Sequence, residues 1–472
     1  MAERNLAGIT GKIKLHGTIE LLSPLLIGSG QLQENIRNVD IQVLRNKENV
    51  PYIPGTSFIG VLREWTKEKD TDILYGDTPN RQSAIACRDI LLQNVICTIR
   101  DGVGIDSITG TAKASCKYDY ETVDRGATGE FEIIITLREF YAGQTKQIRE
   151  YAQKLADILT AGQIRLGAMT SKGFGQIKAI DTFVEFYDFH DFRAVEAWLL
   201  GRPSHEQSRW YDTKTSEQSS GDDTTIYPDD YFVLDAAFAI RHSLIIRDPD
   251  GQSQKDIQED IAAVSLRAGN GEKGDYVIPG TSLKGVLRHQ AERILRGLGK
   301  DTSCLDELMG CAKDEKKQKS RFIVNESYFK EGVSEVKQPR NRINRFTGAT
   351  METALFATKP VWQECPHQKT LRIHWEIKGY PQKGCLYWEI GLSLFLLREL
   401  WTGRLAIGGE KSIGRGVLEG LQAEIMYKKK GTDIERYTIT DPCALDQDTK
   451  NLLERYASTV NELKEHSCNK QI

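Results

Sequence analysis

The sequence predicts an α+β protein made of two tandem ferredoxin-like domains, and three observations lead to this prediction. The segment 52–63, which reads YIPGTSFIGVLR, returns almost intact at 277–288 as VIPGTSLKGVLR. Other landmarks recur in the same order at offsets that grow from 225 through 234 and 238 to 241 residues, as small loop insertions after a duplication would produce. Within each copy the pattern is strand, helix, strand, repeated once, which is the element order of a ferredoxin-like domain.

The recurring landmarks are short motifs that contain glycine. They are LYG at 74–76 with LMG at 308–310, IDSITG at 105–110 with INRFTG at 343–348, and Gly167, Gly173 and Gly175 with Gly408, Gly414 and Gly416. Because three separate motifs keep their order, a chance repeat of one good helix start does not explain the pattern. Each half is long enough to bury its own core.

Composition limits the function classes. The 472 residues carry a formal net charge of -3, so any nucleic-acid surface must be local. No apolar run approaches the roughly 20 residues that span a bilayer, and the N-terminus lacks a signal-peptide pattern, which predicts a cytoplasmic protein without a membrane partner. The nine cysteines form no tight framework, which favours reduced thiols over disulfides.

The first half begins with residues 13–27, whose polar and apolar residues alternate and predict a long first strand. The sequence Gly-Ser-Gly at 28–30 ends that strand. Farther on, Pro-Gly-Thr-Ser at 54–57 predicts a tight turn and then a helix capped by Thr56 or Ser57.

Two more strands are predicted around 84–92 and 130–137. Between them, residues 98–130 are glycine-rich, polar and too long for an ordinary connection, which indicates a disordered or functional insertion. A glycine loop at 166–175 leads into the last strand. It follows a helical stripe formed by Ile148, Tyr151, Leu155, Ile158 and Leu159.

The repeat divides the chain into two domains and an extension. The composition of 203–228, rich in Pro, Ser, Gln, Asp, Gly and Thr, is typical of a linker. The predicted order is a first domain at 1–202, the linker at 203–228, a second domain at 229–430 that starts with a strand at 232–240, and a C-terminal extension at 431–472 with a helix at 445–466.

The two glycine loops, 166–175 and 407–416, have two open interpretations. Glycine lets backbone N–H groups approach a phosphate, and Lys172, Lys411 and Arg415 add positive charge. Neither loop is a Walker A motif, because no Gly-Lys-Ser/Thr tripeptide stands at a helix start. A glycine-rich turn before a strand is the structural alternative.

Together, the Pro-Gly-Thr-Ser helix start, the LYG or LMG motif, the long insertion and the closing Gly-x5-Gly-x-Gly loop resemble the RAMP superfamily of CRISPR proteins. More narrowly, the chain resembles the backbone subunits of type III effector complexes, with two copies fused, over residues 13–425. The resemblance implies a modified RNA-recognition fold that holds crRNA along its phosphates. It also implies target RNA and other CRISPR effector subunits as partners in a ribonucleoprotein.

In such subunits a thumb-like hairpin wedges into the guide-target duplex and displaces a base pair at regular intervals. The insertions 98–130 and 331–360 lie where the two thumbs belong. The second mixes basic and apolar residues, which suits phosphate contact and wedging, although a solvated charged loop is the alternative. The residues in question are Lys337, Arg340, Arg342, Ile343, Arg345 and Phe346.

The resemblance and the local charge together predict a set of RNA-contacting residues on the helix starts, the second insertion and the glycine loops. These residues are Ser57, Arg63, Lys172, Ser282, Lys284, Arg288, Arg340, Arg342, Arg345, Lys411 and Arg415.

Type III backbone subunits that cut target RNA carry an acidic residue in the loop before the Ile-Pro-Gly segment, and here Asp40 occupies that loop. The resemblance implies attack of a ribose 2′-OH on the neighbouring phosphate, assisted by a divalent cation such as Mg²⁺. A carboxylate suits the role of proton acceptor or metal ligand. In the second half the strict counterpart is Ala262, and Asp260, with Asp256 nearby, is the candidate substitute; otherwise that half only binds.

Three alternatives remain open. The chain is a non-catalytic backbone module, or it is a crRNA-processing ribonuclease, which needs a histidine or lysine cluster that the isolated His16 and His289 do not supply. A zinc site is the third alternative, but no Cys-x2-Cys pair is present and ordinary thiols are favoured. The residues available for zinc are Cys304, Cys311, Cys365, His367 and Cys385.

Overall fold

The computed structural model describes residues 8–30, 39–66, 72–76, 82–106, 109–210, 230–248, 261–269, 274–311, 317–352, 355–380, 387–429, 431–443 and 445–465. The chain divides into two compact units. Unit 1 comprises Met1–Thr98, Glu121–Thr170 and Phe174–Ile226, and unit 2 comprises Ile99–Tyr120, Ser171–Gly173 and Tyr227–Ile472. Two segments that the repeat pattern assigns to the first domain therefore belong to unit 2.

The first sequence repeat forms ten strands and three α-helices among its described residues. They are β1 (Ile9–Leu21), β2 (Tyr52–Ile53), α1 (Gly55–Trp65), β3 (Ile85–Cys87), β4 (Ile90–Gln93), β5 (Cys97–Ile105), β6 (Ala112–Val123), β7 (Thr128–Arg138), α2 (Thr145–Thr160), β8 (Ile164–Arg165), β9 (Gln176–Asp188), α3 (Phe192–Leu199) and β10 (Glu206–Trp210).

The sheet of unit 1 has the strand order β10-β9-β1-β7-β4-β2, with β3 on β7 and β8 on β9. The pairs β1·β7 and β1·β9 are antiparallel. The four main strands, in chain order, are β1, β3/β4, β7 and β9. Numbered 1 to 4 in that order, they lie across the sheet in the order 4-1-3-2. Helices α1 and α2 follow the first and third strands. This arrangement confirms the ferredoxin-like fold predicted for the first half.

The core of unit 1 follows from the apolar periodicity. Alternate residues of β1, among them Ile13 and Leu15, are buried, because successive side chains of a strand point to opposite faces. The five residues of the predicted stripe on α2 are also buried. Each fully buried aliphatic side chain contributes about 1.5–3 kcal/mol, so this shared core accounts for the packing of α2 on the sheet.

The starts of α1 and of the repeated helix α4 (Gly280–Gly297) differ from the prediction. Pro54 and Pro279 are the N-cap residues, the helices begin at Gly55 and Gly280, and neither N-cap side chain forms a capping hydrogen bond. The predicted caps are wrong because the proline and glycine shift the Thr-Ser pairs into the first helical turn. In unit 1, Asp89 Oδ1 instead accepts the Gly55 N–H at 2.9 Å.

The second repeat and the extension form fourteen strands and four α-helices among their described residues. They are β11 (Tyr231–Ile240), β12 (Ser243–Leu244), β13 (Ile261–Ala263), β14 (Arg267–Ala268), β15 (Asp275–Ile278), α4 (Gly280–Gly297), α5 (Cys304–Met309), β16 (Phe322–Val324), β17 (Ser327–Phe329), β18 (Val333–Glu335), β19 (Gln338–Arg340), β20 (Phe356–Thr358), β21 (Val361–Gln363), β22 (Leu371–Lys378), α6 (Tyr387–Trp401), β23 (Leu418–Lys428), β24 (Glu435–Ile439) and α7 (Gln447–Ser458).

The main sheet of unit 2 has the order β16-β22-β11-β23-β24. It repeats the ferredoxin-like arrangement, with β24 added at one edge, which confirms the prediction for the second half. Helix α7 lies within the helix predicted at 445–466 and packs on α6. A Cβ on Gly391 would lie 2.2 Å from the Tyr456 carbonyl oxygen, so a glycine is required at this helix contact.

The insertions and the linker have structure of their own. Strands β5 and β6 pair as a two-stranded ribbon within 98–130, and β18, β19 and β20 lie within 331–360. Residues 206–210, predicted as linker, instead form β10, because they pair with the edge strand β9. Residues 211–229 lie outside the described residues. Among the described helices, none is long and apolar enough to cross a membrane.

Candidate nucleic-acid interface

Asp40 lies on an exposed bend, directly after the buried Val39. We call residues 39–45 the Asp40 loop. Its backbone is fixed, since the Ser29 N–H donates to the Gln42 carbonyl at 3.0 Å. The loop therefore presents a solvent-accessible carboxylate from a backbone that is held in place.

An ion pair fixes the other side of the Asp40 loop. The Arg45 guanidinium contacts both carboxylate oxygens of Glu121 at 2.7 Å, and the Val43 N–H donates to the same carboxylate at 3.2 Å. The Glu121 N–H also donates to the Ile41 carbonyl at 2.9 Å. Because Glu121 belongs to β6, these contacts attach the Asp40 loop to the unit 1 end of that strand.

The second half builds the same loop without the carboxylate. The Asp248 N–H donates to the Val264 carbonyl at 3.1 Å, which repeats the hydrogen bond between Ser29 and Gln42. This register makes the exposed Ala262 the counterpart of Asp40. Asp260, the candidate substitute, lies outside the described residues.

The glycines of the two glycine loops serve backbone packing. A Cβ on Gly175 would lie 1.8 Å from the Leu166 carbonyl oxygen, and a Cβ on Gly416 would lie 1.8 Å from that of Ile407. Both glycines have φ near +75°, at +76° and +75°, which side chains rarely adopt. The geometry therefore supports the structural interpretation of these glycines.

Lys284, predicted to contact RNA, is buried in unit 2. Its ammonium group donates to Ser320 Oγ at 2.7 Å, to the Phe322 carbonyl at 2.9 Å and to the Ser171 carbonyl at 3.3 Å. Burial, followed by the charges of Lys172 and Arg288, lowers the pKa of Lys284 to about 7. The ammonium group of Lys284 therefore has three oxygen partners inside unit 2.

Two of the predicted arginines also have protein partners. Arg288 donates to Asp306 and to the Gly310 carbonyl, both at 2.6 Å. The buried Arg415 pairs with Glu410 at 2.8 Å. Both guanidinium groups therefore have acidic or carbonyl partners within unit 2.

Arg340 shares the carboxylate of Glu410, which it meets at 2.9 Å with a side chain 22% exposed. Of the remaining predicted residues, Lys172 and Ser282 are half-buried, and the others are exposed, namely Ser57, Arg63, Arg342, Arg345 and Lys411.

The two insertions end in the same kind of turn. The Gly110 N–H donates to the Asp106 carbonyl at 2.9 Å, and the Gly348 N–H donates to the Asn344 carbonyl at 2.9 Å. Beside the second turn, Phe346 is 100% exposed. We call residues 342–346 the arginine tip, because they place Arg342 and Arg345 around exposed apolar side chains.

Several charged side chains influence the pKa of His289. It lies on α4, and burial lowers its pKa; the positive charges of Lys411, Lys113 and Arg288 lower it further, while Glu292 opposes them. Lys113 lies on β6 and Lys411 in the second glycine loop. No sequence motif indicates that Lys113, Lys411 and His289 influence one another, because they come from three distant parts of the chain.

Among the described residues, no three His, Cys, Asp or Glu side chains come together in a way that could hold a metal ion. Cys385, one of the zinc candidates, lies outside the described residues. A site of the zinc type is therefore not formed by the described candidates, whereas a cation held partly by RNA phosphates needs fewer protein ligands.

The family model described as RAMP superfamily matches residues 18–178 and residues 265–419, so both halves are matched separately. No curated protein matches the chain.

Proposed function

Because the chain belongs to the RAMP superfamily through both of its halves, we propose that it is a crRNA-binding backbone subunit of a type III CRISPR ribonucleoprotein that cleaves the guide-paired target RNA. RAMP proteins are CRISPR-associated RNA-binding modules that work in RNA-protein complexes. The type III assignment and the cleavage are the parts that we add. The observation that supports cleavage is the Asp40 loop, in which the exposed Asp40 carboxylate belongs to a backbone held by hydrogen bonds and by the ion pair of Arg45 with Glu121.

In the proposed reaction, the 2′ oxygen of a target ribose forms a bond to the neighbouring phosphorus, and the bond from phosphorus to the 5′ oxygen of the next nucleotide breaks. The products are a 2′,3′-cyclic phosphate and a 5′-hydroxyl, whose proton comes from water. Asp40 accepts the proton of the 2′-hydroxyl, which requires its carboxylate to be exposed and fixed in position. The arginine tip binds and distorts the RNA strand, because in-line approach of the hydroxyl to phosphorus depends on strand geometry. Arg342 and Arg345 supply the positive charge for this contact.

A divalent cation, Mg²⁺, fits the side chains of the Asp40 loop. Mg²⁺ is commonly held by one or two carboxylates together with substrate phosphates, and Asp40 supplies one such carboxylate. When bound, the ion would neutralise the negative charge that develops on the phosphate oxygens.

Replacement of Asp40 by Asn tests this function in the ribonucleoprotein assembled on guide RNA. We expect the loss of one cleavage product of a complementary RNA, while guide binding stays unchanged. Glu48→Gln, which removes an exposed carboxylate close by in the chain, is the matched control and should leave every product in place. If the Asp40→Asn product pattern matches the wild type, Asp40 is not the catalytic group.

For unit 2, the exposed Ala262 favours a second candidate function, which is binding without cleavage. Asp260→Ala separates the two possibilities. A further product lost in this variant would assign catalysis to both halves, and an unchanged pattern would leave unit 2 as a non-catalytic guide-binding module.

A further inference from the structure

The main sheet of unit 2 carries a cavity of 560 Å³ on the face opposite its hydrophobic core. Residues of β11 and β22 line the cavity, together with the segment 325–328. On β22, Ile373 and Trp375 pack in the core. Because successive side chains of a strand point to opposite faces, Arg372 and His374 face the cavity instead. The volume lies in the range of binding sites for small molecules.

Three basic side chains line this cavity, which we call the Arg372 cavity. They are Lys369, Arg372 and His374. Asp235 holds two of them, because its Oδ1 accepts a hydrogen bond from Arg372 Nε at 2.8 Å and its Oδ2 accepts one from His374 Nδ1 at 3.2 Å. Burial acts to raise the pKa of Asp235, but the hydrogen bonds and charges of His374 and Arg372 hold it below its ordinary value. The ionised carboxylate therefore fixes both side chains in position.

The basic side chains keep hydrogen-bond donors for a ligand. Among the described residues, Arg372 Nη1 and His374 Nε2 have no hydrogen-bond partner. The Lys369 ammonium group has three hydrogens and donates one to Gln422 Oε1. The side chains of Arg372 and His374 are 64% and 25% exposed, so a ligand can reach both.

The charge of the Arg372 cavity is positive. Lys369 and Arg372 each carry a positive charge, and Asp235 carries a negative one. The carboxylate of Glu326 also lines the cavity, but it forms a buried ion pair with Arg100, whose charge balances it. The excess of positive charge in a partly enclosed space favours an anionic ligand.

The internal repeat aligns the Arg372 cavity with a cavity in unit 1. Phe186 and Tyr427 lie the same number of residues after the last glycines of the two glycine loops, so they are equivalent positions. Phe186 pairs with Ile13 on β1. Tyr427 pairs in the same way with Phe232 on β11. These pairs relate the two sheets position by position.

At the aligned positions, unit 1 carries acidic residues. Counting along the paired strands β1·β7 and β11·β22, Glu130 corresponds to Arg372. Glu132 corresponds to His374 in the same alignment. The unit 1 cavity at this place has a volume of 600 Å³, and its acidic residues are Asp89, Glu130, Glu132 and Asp181. The same fold thus forms an acidic cavity in one unit and a basic cavity in the other.

We propose that the Arg372 cavity binds a phosphomonoester on a ribose, either that of a free nucleotide or that at the end of an RNA chain. A terminal phosphate carries a charge of about -1.5 to -2 at pH 7, so it matches clustered cations better than the single charge of a phosphodiester. The planar guanidinium of Arg372 can bind two phosphate oxygens, and Lys369 adds a point charge. The proposal does not depend on target cleavage, and the lining residues of the cavity include none of the RNA-contacting residues predicted from the sequence.

Binding to the full chain is measured by isothermal titration calorimetry with two sets of probes. The first set is 5′-AMP and 3′-AMP, with adenosine as the control without phosphate. The second set is one RNA hexanucleotide with a 5′-phosphate, with a 3′-phosphate and with neither. We expect a phosphorylated probe in at least one set to bind about tenfold or more tightly than its control. A preference in the first set identifies a free nucleotide as the ligand, and a preference confined to the second identifies an RNA end.

Arg372→Glu introduces the residue type that unit 1 has at this position, and it should lower the preference for phosphate by about tenfold or more. Lys369→Gln changes an exposed side chain and should lower the preference several-fold, which keeps the test valid if Arg372→Glu does not fold. Arg398→Glu, the same exchange at an exposed position on α6, is the control and should change nothing.

Equal affinity for phosphorylated and unphosphorylated probes in both sets would overturn the proposal. A preference for phosphate that keeps its full size in both Arg372→Glu and Lys369→Gln would also overturn it. Cleavage of target RNA is assayed separately on the same preparations. A failure here is thereby distinguished from a failure of the proposed ribonuclease function.

Discussion

Arg45 and Glu121 form a bidentate ion pair, in which both nitrogen-to-oxygen distances are 2.7 Å. The Glu121 side chain is 0% exposed and that of Arg45 is 11% exposed. Hydrogen bonding to Glu121 raises the pKa of Arg45 above its ordinary value. The pair matters for function because it joins the loop that carries Asp40 to strand β6, and so restricts where that carboxylate can lie.

Replacing Glu121 by Gln should lower the free energy of unfolding by about 3–5 kcal/mol, because Arg45 would keep a buried charge without its counter-ion. Urea denaturation of the full chain measures this change. The exposed pair of Lys47 and Glu48, 3.5 Å apart, is the control, and Glu48→Gln should cost less than about 1 kcal/mol. Equal effects of the two substitutions would contradict a special role for the buried pair.

Gly416→Ala should destabilise unit 2 strongly, because the new methyl group would lie 1.8 Å from the Ile407 carbonyl oxygen. Strain of this kind costs on the order of 1–3 kcal/mol for the φ angle alone, and the clash adds to it. The measurement is the thermal unfolding midpoint. Gly60→Ala, in α1 with nothing within 4 Å of the added Cβ, should instead stabilise by about 0.5–1 kcal/mol. An unchanged midpoint for Gly416→Ala would contradict the packing role of Gly416 and would favour the phosphate-binding interpretation of the loop.

Lys284 should make stability depend on pH in the alkaline range. Its folded pKa is about 7, against 10.5 when unperturbed, so between these values the unfolded chain binds more protons than the folded chain. Stability from this group therefore rises as the pH increases from about 7 to 10.5, and the loss on lowering the pH is complete near pH 7. Comparing wild type and Lys284→Met by urea unfolding across this range measures the effect, and the variant should show the flatter profile. Parallel profiles would contradict the assigned pKa.

The two sheets could be predicted because their cores follow local patterns. Alternation in β1 and the stripe on α2 are visible within 20 residues of sequence, and the duplication predicts a second domain of the same fold. The placement of β5 and β6 could not be predicted in this way. Their attachment to unit 2 depends on Arg100 meeting Glu326, and no local pattern relates two residues so far apart.

The candidate site was predictable in part for the same reason. The repeat identified Ala262 as the counterpart of Asp40, and the hydrogen-bond register of the two loops gives the same pairing. The burial of Lys284 was not predictable from the sequence. Lys284 and the exposed Arg342 are both long cationic side chains with other basic residues nearby in the chain. Only the acceptors placed around Lys284 by the fold distinguish the two.

The arginine tip should contribute to the salt dependence of RNA binding, because Arg342 and Arg345 are exposed arginines of the predicted basic set on the second insertion. For single-stranded RNA, the slope of log affinity against log salt concentration decreases in magnitude by about 0.7 for each phosphate contact removed. Replacing both arginines by alanine should therefore weaken binding and reduce the slope by about 1.4 units. The slope is measured by titrating labelled RNA with the full chain at several salt concentrations.

Arg340→Ala separates charge at the tip from charge inside the fold. Arg340 lies two residues before the tip but contacts Glu410 at 2.9 Å, and that carboxylate also binds Arg415. Its replacement should lower the unfolding midpoint while changing the salt slope far less than the double variant does. If the tip faces RNA, Arg340→Ala therefore changes mainly the unfolding midpoint, and the double variant changes mainly the salt slope. A slope that falls equally in Arg340→Ala and in the double variant, or that falls in neither, would remove the arginine tip from the interface, since counterion release depends on phosphate contacts and not on the total charge of the chain.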